Sequence, residues 1–232
     1  MMSQKGCYLW YGAYAGRDYL DYGIKPGDKV LDIGAGHRPF KYATHILDVP
    51  DPTFNVQRAN QPLKVLDGQV LIPGTTDRLS EFSDKEFDFV YVSHCLEHTD
   101  NLPWVLDQIS RIGKRGFVAV PHYFYDFMAN PSESGHKWFC WYKDDVLYIM
   151  PREETDFYDK FAHIWSALEW DPHNRVFMIY WEGHNVLGMR WLREIRFFWE
   201  DKIDYIVDDS FFPQIKIWRE LIREFQAQGG QI

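Results

Sequence analysis

The residues best placed to do chemistry begin at an apolar run, Val30-Leu31-Asp32-Ile33, that leads into Gly34-Ala35-Gly36. A strand ending in Gly-x-Gly lets a ligand approach the main chain closely, because glycine has no side chain. Taken alone, the same three residues could equally make a tight turn that binds nothing. Two features separate this loop from a dinucleotide fingerprint. Pro39 stands at the third glycine position, and Asp48, the next acid at a strand end, follows Gly34 by fourteen residues where that fingerprint has about twenty. The stretch between, His37 to Ala43, has room for a turn and not for a long helix that could seat a pyrophosphate. A cofactor with a ribose and no pyrophosphate fits better, with Asp48 accepting hydrogen bonds from both ribose hydroxyls. The plain alternative for Asp48 is a solvated acid at a strand terminus.

A second concentration of chemistry lies at His94-Cys95-Leu96-Glu97-His98, followed by His122 and His136. The first five residues read as His-x-x-Glu-His, a zinc hydrolase pattern. That chemistry needs both histidines on one helix face and a third ligand. Here the run straddles the end of an apolar strand, so no metal is expected. Cys95 reads as a small buried apolar residue rather than a nucleophile. His98, His122 and His136 are candidates for a base that takes a proton from an acceptor hydroxyl. His98 is favoured as nearest in sequence to the strand-end turn, and each of the three would serve equally as a hydrogen-bonded structural histidine. Glu97 is placed to orient a histidine.

The elements that must position these groups are short. Strands are expected at 29–33, 44–48, 69–72, 87–92 and 116–120, with a helix over 102–112 that Asp100 or Asn101 caps and Gly113 stops. Pro26-Gly27-Asp28 reads as a turn and 14–22 as a short helix. Apolar strands alternating with helical or loop segments predict an α/β fold whose mostly parallel sheet is covered on both faces. Beyond Pro121 the pattern predicts an aromatic-rich cap over 123–142 that roofs the acceptor site, a polar loop at 130–135 and a strand at 175–181. Alternation in Ile195/Phe197/Trp199 and Ile203/Tyr205/Val207 predicts a C-terminal β-hairpin about Glu200-Asp201, and 213–226 an amphipathic helix.

VLDIGAG, then ILD closing a second strand, then EFDFVYVSHCLEHTDN and QISRIGKRGFVAVP resemble the class I S-adenosylmethionine-dependent methyltransferases, particularly the small-molecule enzymes classed broadly as type 11. The likeness spans about Lys29 to Pro121. It implies a Rossmann-like doubly wound sheet, S-adenosylmethionine as cofactor and S-adenosylhomocysteine as product. It also implies roles for matching residues. Gly34, Ala35 and Gly36 would run along the methionine part, with Asp32 fixing the loop or the cofactor amine. Asp48 would hold the ribose. Relatives carry an acid beside the adenine where Thr75 stands here, and Thr76 and Asp77 follow it. Ser93 and His94 would face the methionine end.

Composition sets the outer bounds. The 232 residues carry a formal charge of -9 and no long basic run, which argues against nucleic acid as partner. Three scattered cysteines do not make a disulfide framework, so a reducing cytoplasm is the expected setting. The N-terminal segment lacks the layout of a signal peptide, and no stretch is apolar enough to span a membrane. One methyltransferase domain over 1–232 is expected: a helix or lid at 1–28 with an aromatic cluster at Tyr8, Trp10, Tyr11 and Tyr14, a cofactor-binding core at 29–121, and an acceptor-side insertion with late strands and a C-terminal helix at 122–232. The expected reaction is methyl transfer to a small-molecule or glycan acceptor, at oxygen, by in-line displacement. A non-catalytic binding module on the same fold and a zinc hydrolase are the competing readings. The sequence leaves the oligomeric state open.

Overall fold

Alternate residues of the central strands carry different side-chain chemistry, and this divides the core. The computed structural model describes residues 20–54, 60–123, 126, 135–152 and 194–207. Strands β1 (Val30–Ile33), β2 (His45–Asp48), β3 (Val70–Pro73), β4 (Phe89–Ser93) and β5 (Arg115–Pro121) run parallel in the order β3-β2-β1-β4-β5. On one face Leu31, Ile33, Val90, Val92, Val118 and Val120 are fully buried. On the other, Phe89, Tyr91 and Phe117 meet Tyr22 and Phe40. Phe40 stacks on Tyr91 with centroids 4.1 Å apart, and Tyr91 on Phe117 at 5.4 Å.

Helix α1 (Leu102–Ile112) covers the aliphatic face through Leu102, Val105, Leu106, Ile109 and Ile112. This is the i, i+3, i+4 spacing of a one-sided helix. Asn101 caps it by accepting the Trp104 N–H, and Gly113 ends it as expected. Arg111 in its last turn donates to the carbonyls of Leu79 and Phe82, holding a 3-10 turn at Thr76–Glu81 against the helix.

The late elements depart from expectation. β8 (Glu194–Glu200) and β9 (Tyr205–Val207) do not form the predicted C-terminal hairpin. β8 pairs antiparallel with β5 over seven residues, from Arg115↔Glu200 to Pro121↔Glu194, and completes a six-stranded sheet. The reason is that β5 otherwise presents an open buried edge, and Ile195, Phe197 and Trp199 complete its aliphatic face. β9 instead joins a second sheet of order β6-β7-β9, where β6 (Trp138–Lys143) and β7 (Val146–Pro151) form a hairpin that the sequence reading missed. Its turn is Asp144-Asp145 at φ +51° and +64°, both left-handed as a two-residue hairpin turn requires. Part of the region read as an aromatic cap is thus a sheet, and Tyr142 stacks on Phe197 at 4.5 Å. The Pro26-Gly27 turn is present, while Leu20 to Gly23 is irregular rather than helical. The aromatic cluster at 8–14, the 130–134 part of the polar loop, the strand at 175–181 and the helix at 213–226 lie outside the described residues. Among the described residues no helix is long and apolar enough to cross a membrane.

Candidate active site

Two buried carboxylates on neighbouring strands hold the glycine loop. Asp32 Oδ2 accepts the Phe40 N–H at 2.7 Å, tying the far end of the loop back to β1. Asp48, at the end of β2, accepts the Gly36 N–H through Oδ2 at 2.7 Å and the Val49 N–H through Oδ1 at 2.6 Å. Gly34 N–H donates to the Leu47 carbonyl at 2.9 Å. Gly34 and Gly36 have φ of +72° and +58°. A Cβ on Gly34 would lie 2.6 Å from both Cβ and Sγ of Cys95, so the loop touches the turn after β4 directly.

That turn begins at Ser93, whose buried Oγ has no hydrogen-bond partner among the described residues. His94 follows at φ +53°, its N–H donating to the Ala119 carbonyl. Its ring lies between two carboxylates, with Nε2 2.9 Å from Glu194 Oε1 and Nδ1 3.3 Å from Glu97 Oε1. Protein surrounds His94, yet 42% of its side chain is open to the space it borders. Burial alone would lower its pKa; Glu194 and then Glu97 outweigh that and raise it to about 9. Arg196 Nε in turn donates to Glu194 Oε2 at 2.7 Å. Cys95 is a free thiol whose pKa burial pushes up, in keeping with an inert side chain.

A 3-10 turn at Leu96–His98 then brings Glu97 and His98 beside His136. The His98 and His136 rings meet edge to face with centroids 4.7 Å apart. His98 Nδ1 lies 3.1 Å from the Gly135 carbonyl, and His136 Nδ1 lies 2.6 Å from Asp126 Oδ1. Burial lowers the pKa of His98 against the pull of Glu97. Burial acts the same way on His136, but Asp126 overrides it and the pKa rises. Glu97 is 1% exposed; burial opposes its charge, yet His94, His136 and His98 keep its pKa below the usual carboxylate value.

Most of these groups border one cleft of about 940 Å³ at the carboxyl ends of the parallel strands; Glu97 and Asp126 lie behind its lining. Asp32, Gly34, Ala35, Gly36, Asp48, Thr76, Asp77, Ser93, His94, His98 and His136 all line it. Asp77 Oδ2 accepts the Thr75 hydroxyl at 3.0 Å. His122 is not in the lining: it is 1% exposed and packs between Tyr123 and Trp141, and burial lowers its pKa to about 4. Glu194 and Asp126 went unnoticed in the sequence. Glu194 is one hundred residues from its partner His94, and no local signal marks that pairing. Asp126 lies ten residues before His136, in a stretch of sequence with no regular period.

Residues 17–129, just under half of the 232-residue chain, match the family model described as methionine biosynthesis protein MetW. The match spans β1 to β5, the glycine loop and both carboxylates. The mostly parallel sheet is that of a Rossmann-like α/β fold, and the chain is similar to class I S-adenosylmethionine-dependent methyltransferases. Similar solved structures include methyltransferases from three organisms. For that of Thermotoga maritima the identity is 19% over 43% of this chain and 47% of that one, with a TM-score of 0.33. For Archaeoglobus fulgidus the values are 21%, 42%, 46% and 0.33. For Mesorhizobium loti they are 13%, 74%, 90% and 0.38. The chain thus spans about half the length of the first two. No curated protein sequence matches it. In open α/β sheets ligands bind beyond the carboxyl ends of the strands, which is where this cleft lies.

Proposed function

We propose that this protein is a methyltransferase that uses S-adenosylmethionine, releases S-adenosylhomocysteine, and methylates a hydroxyl of a small molecule or glycan. The observation that carries the reading is the continuity of the cleft. It runs from a left-handed glycine loop fixed by Asp32 and Asp48 to the His98–His136 pair without leaving the strand ends. Its volume suits a cofactor with a small acceptor. The chain's own groups fit that cofactor. Gly34 leaves no room for a side chain, and Ser93 lines the same cleft. Asp48 lines the cleft where it accepts the ribose hydroxyls, and Thr76 and Asp77 border the adenine.

When bound, S-adenosylmethionine supplies a methyl group on a sulfonium, ready for in-line displacement. Alignment of the acceptor therefore provides much of the acceleration. Ser93 and His94 set the methyl end, and the acceptor oxygen lies toward His98 and His136, where its proton is lost. His122, packed away from the cleft, takes no part.

Titration calorimetry with S-adenosylhomocysteine tests the reading. Binding of micromolar strength or better is expected, with a raised melting temperature. Asp48→Ala should weaken it by about 2–4 kcal/mol, the scale for two hydrogen bonds to a charged group. No binding by the unaltered protein would refute the cofactor assignment.

A further inference from the structure

We propose that Glu97, His98 and His136 form a binding site for one divalent transition-metal ion at the acceptor end of the cleft. The role given to the ion rests on the methyltransferase reading above, whereas its binding does not. One potential ligand atom from each of the three residues lies within 4.8 Å of the others. Glu97 is the first reason to place a cation there. It is 1% exposed, neither carboxylate oxygen has a hydrogen-bond partner among the described residues, and the nearest group of opposite charge is the His94 ring at 3.3 Å. Buried carboxylates left this way are costly, and metal coordination is one way they are satisfied.

The histidines give an independent reason. A carbonyl can only accept, so the 3.1 Å contact with Gly135 makes Nδ1 of His98 the donor and Nε2 the basic nitrogen. The Asp126 carboxylate fixes His136 in the same tautomer. Histidines that bind metals carry this kind of outer partner, a carbonyl or a carboxylate on the far nitrogen. Asp126 also places a second negative charge behind the site, partly offset by Arg152, whose charge reaches the same ring.

Two imidazoles and one carboxylate suit zinc, iron(II) or cobalt(II) and do not suit magnesium or calcium. Donor atoms around tetrahedral zinc sit about 3.3 Å apart, so loading draws the three groups together by roughly 1 Å. His94 lies outside the group of three whose ligand atoms come within 4.8 Å of one another. The His-x-x-Glu-His run thus contributes its last two residues and borrows the third ligand from the loop at His136. This revises the expectation of no metal, which considered His94 and His98 as the pair. With an open position toward the cleft, the ion takes the acceptor oxygen as a further ligand and eases loss of its proton to solvent. The oxygen lone pair then forms the C–O bond as the C–S bond of the cofactor breaks.

The test uses the full chain, stripped with chelator, loaded with zinc chloride, desalted and assayed for metal. About one zinc per chain is expected, and cobalt(II) loading should give visible absorption bands. His98→Ala and His136→Ala should each retain at least tenfold less zinc, while Asp126→Asn weakens affinity about 10–100-fold, as lost outer partners do. His45→Gln, on β2 away from the cluster, should retain it. Calorimetry with S-adenosylhomocysteine on the same variants shows that they are folded. Absence of zinc from the unaltered protein, or equal retention by both histidine variants, overturns the site even if the cofactor binds. Loss of cofactor binding with zinc retained would sink the methyltransferase reading and leave the site standing.

Discussion

A methyl group added at Gly34 meets two obstacles at once. The backbone there is at φ +72°, and the new Cβ would lie 2.6 Å from both Cβ and Sγ of Cys95. Left-handed backbone alone costs a residue with a Cβ roughly 1–2 kcal/mol. Gly34→Ala should therefore lower the melting temperature and weaken S-adenosylhomocysteine binding at least tenfold. Adding Cys95→Gly removes the collision and leaves the backbone strain, so the double variant should recover part of the lost stability. Unchanged binding in the single variant would show that the loop and the turn after β4 are farther apart than the 2.6 Å approach implies. This constraint was legible in the sequence because it is local: a strand, two glycines one residue apart, and an acid on the next strand. The surroundings of His94 and His136 were not legible. Their partners Glu194 and Asp126 are acids with no pattern around them, and only the fold brings them near. His122 shows the converse, since its position after a strand looked like a site and its side chain instead turned into the aromatic packing.

At the scale of elements, the first half of the chain follows its periodicity closely. The five parallel strands and α1 fall within a residue or two of expectation, because each is an apolar run bounded by turn or cap residues. The second half did not, for a reason that concerns pairing rather than propensity. β8 and β9 alternate as hairpin strands would, but alternation marks only which side chains face inward and leaves the partner unspecified. The β6–β7 hairpin escaped notice because Asp144-Asp145 supplies the left-handed turn where glycine is the usual signal. Capping offers a test confined to one element. Asn101→Ala removes the acceptor for the Trp104 N–H and should reduce stability by about 1 kcal/mol in urea unfolding. Cofactor affinity should fall only slightly, since Asn101 and Trp104 border the cleft but the glycine loop is held by Asp32 and Asp48. A large fall in affinity would mean that the Asn101 side chain meets the ligand directly.

The described residues join two sheets through the larger core cluster, and His122 sits where they meet, just after β5 and against Trp141 of β6. Its burial makes the pH dependence of folding a test of that junction. In the folded chain its pKa is lowered by burial from the ordinary 6.5 to about 4. Above pH 6.5 the ring is neutral in both states and imposes no penalty. Between 6.5 and 4 the unfolded chain binds a proton that the folded chain does not, so stability falls as pH falls. Below about 4 both forms are protonated and the loss is complete. The whole effect amounts to about 3 kcal/mol, at 1.36 kcal/mol per pKa unit. Urea unfolding at half-unit steps from pH 7.5 to 4 should show this decline on top of the titration of the carboxylates. His122→Asn cannot take up the proton and should flatten the curve by up to one proton across that window, while its stability relative to the parent improves as the pH drops. If the two proteins keep the same difference in stability at every pH, His122 is solvated in the folded state, and the contact between β5 and the second sheet is looser than its packing against Tyr123 and Trp141 implies.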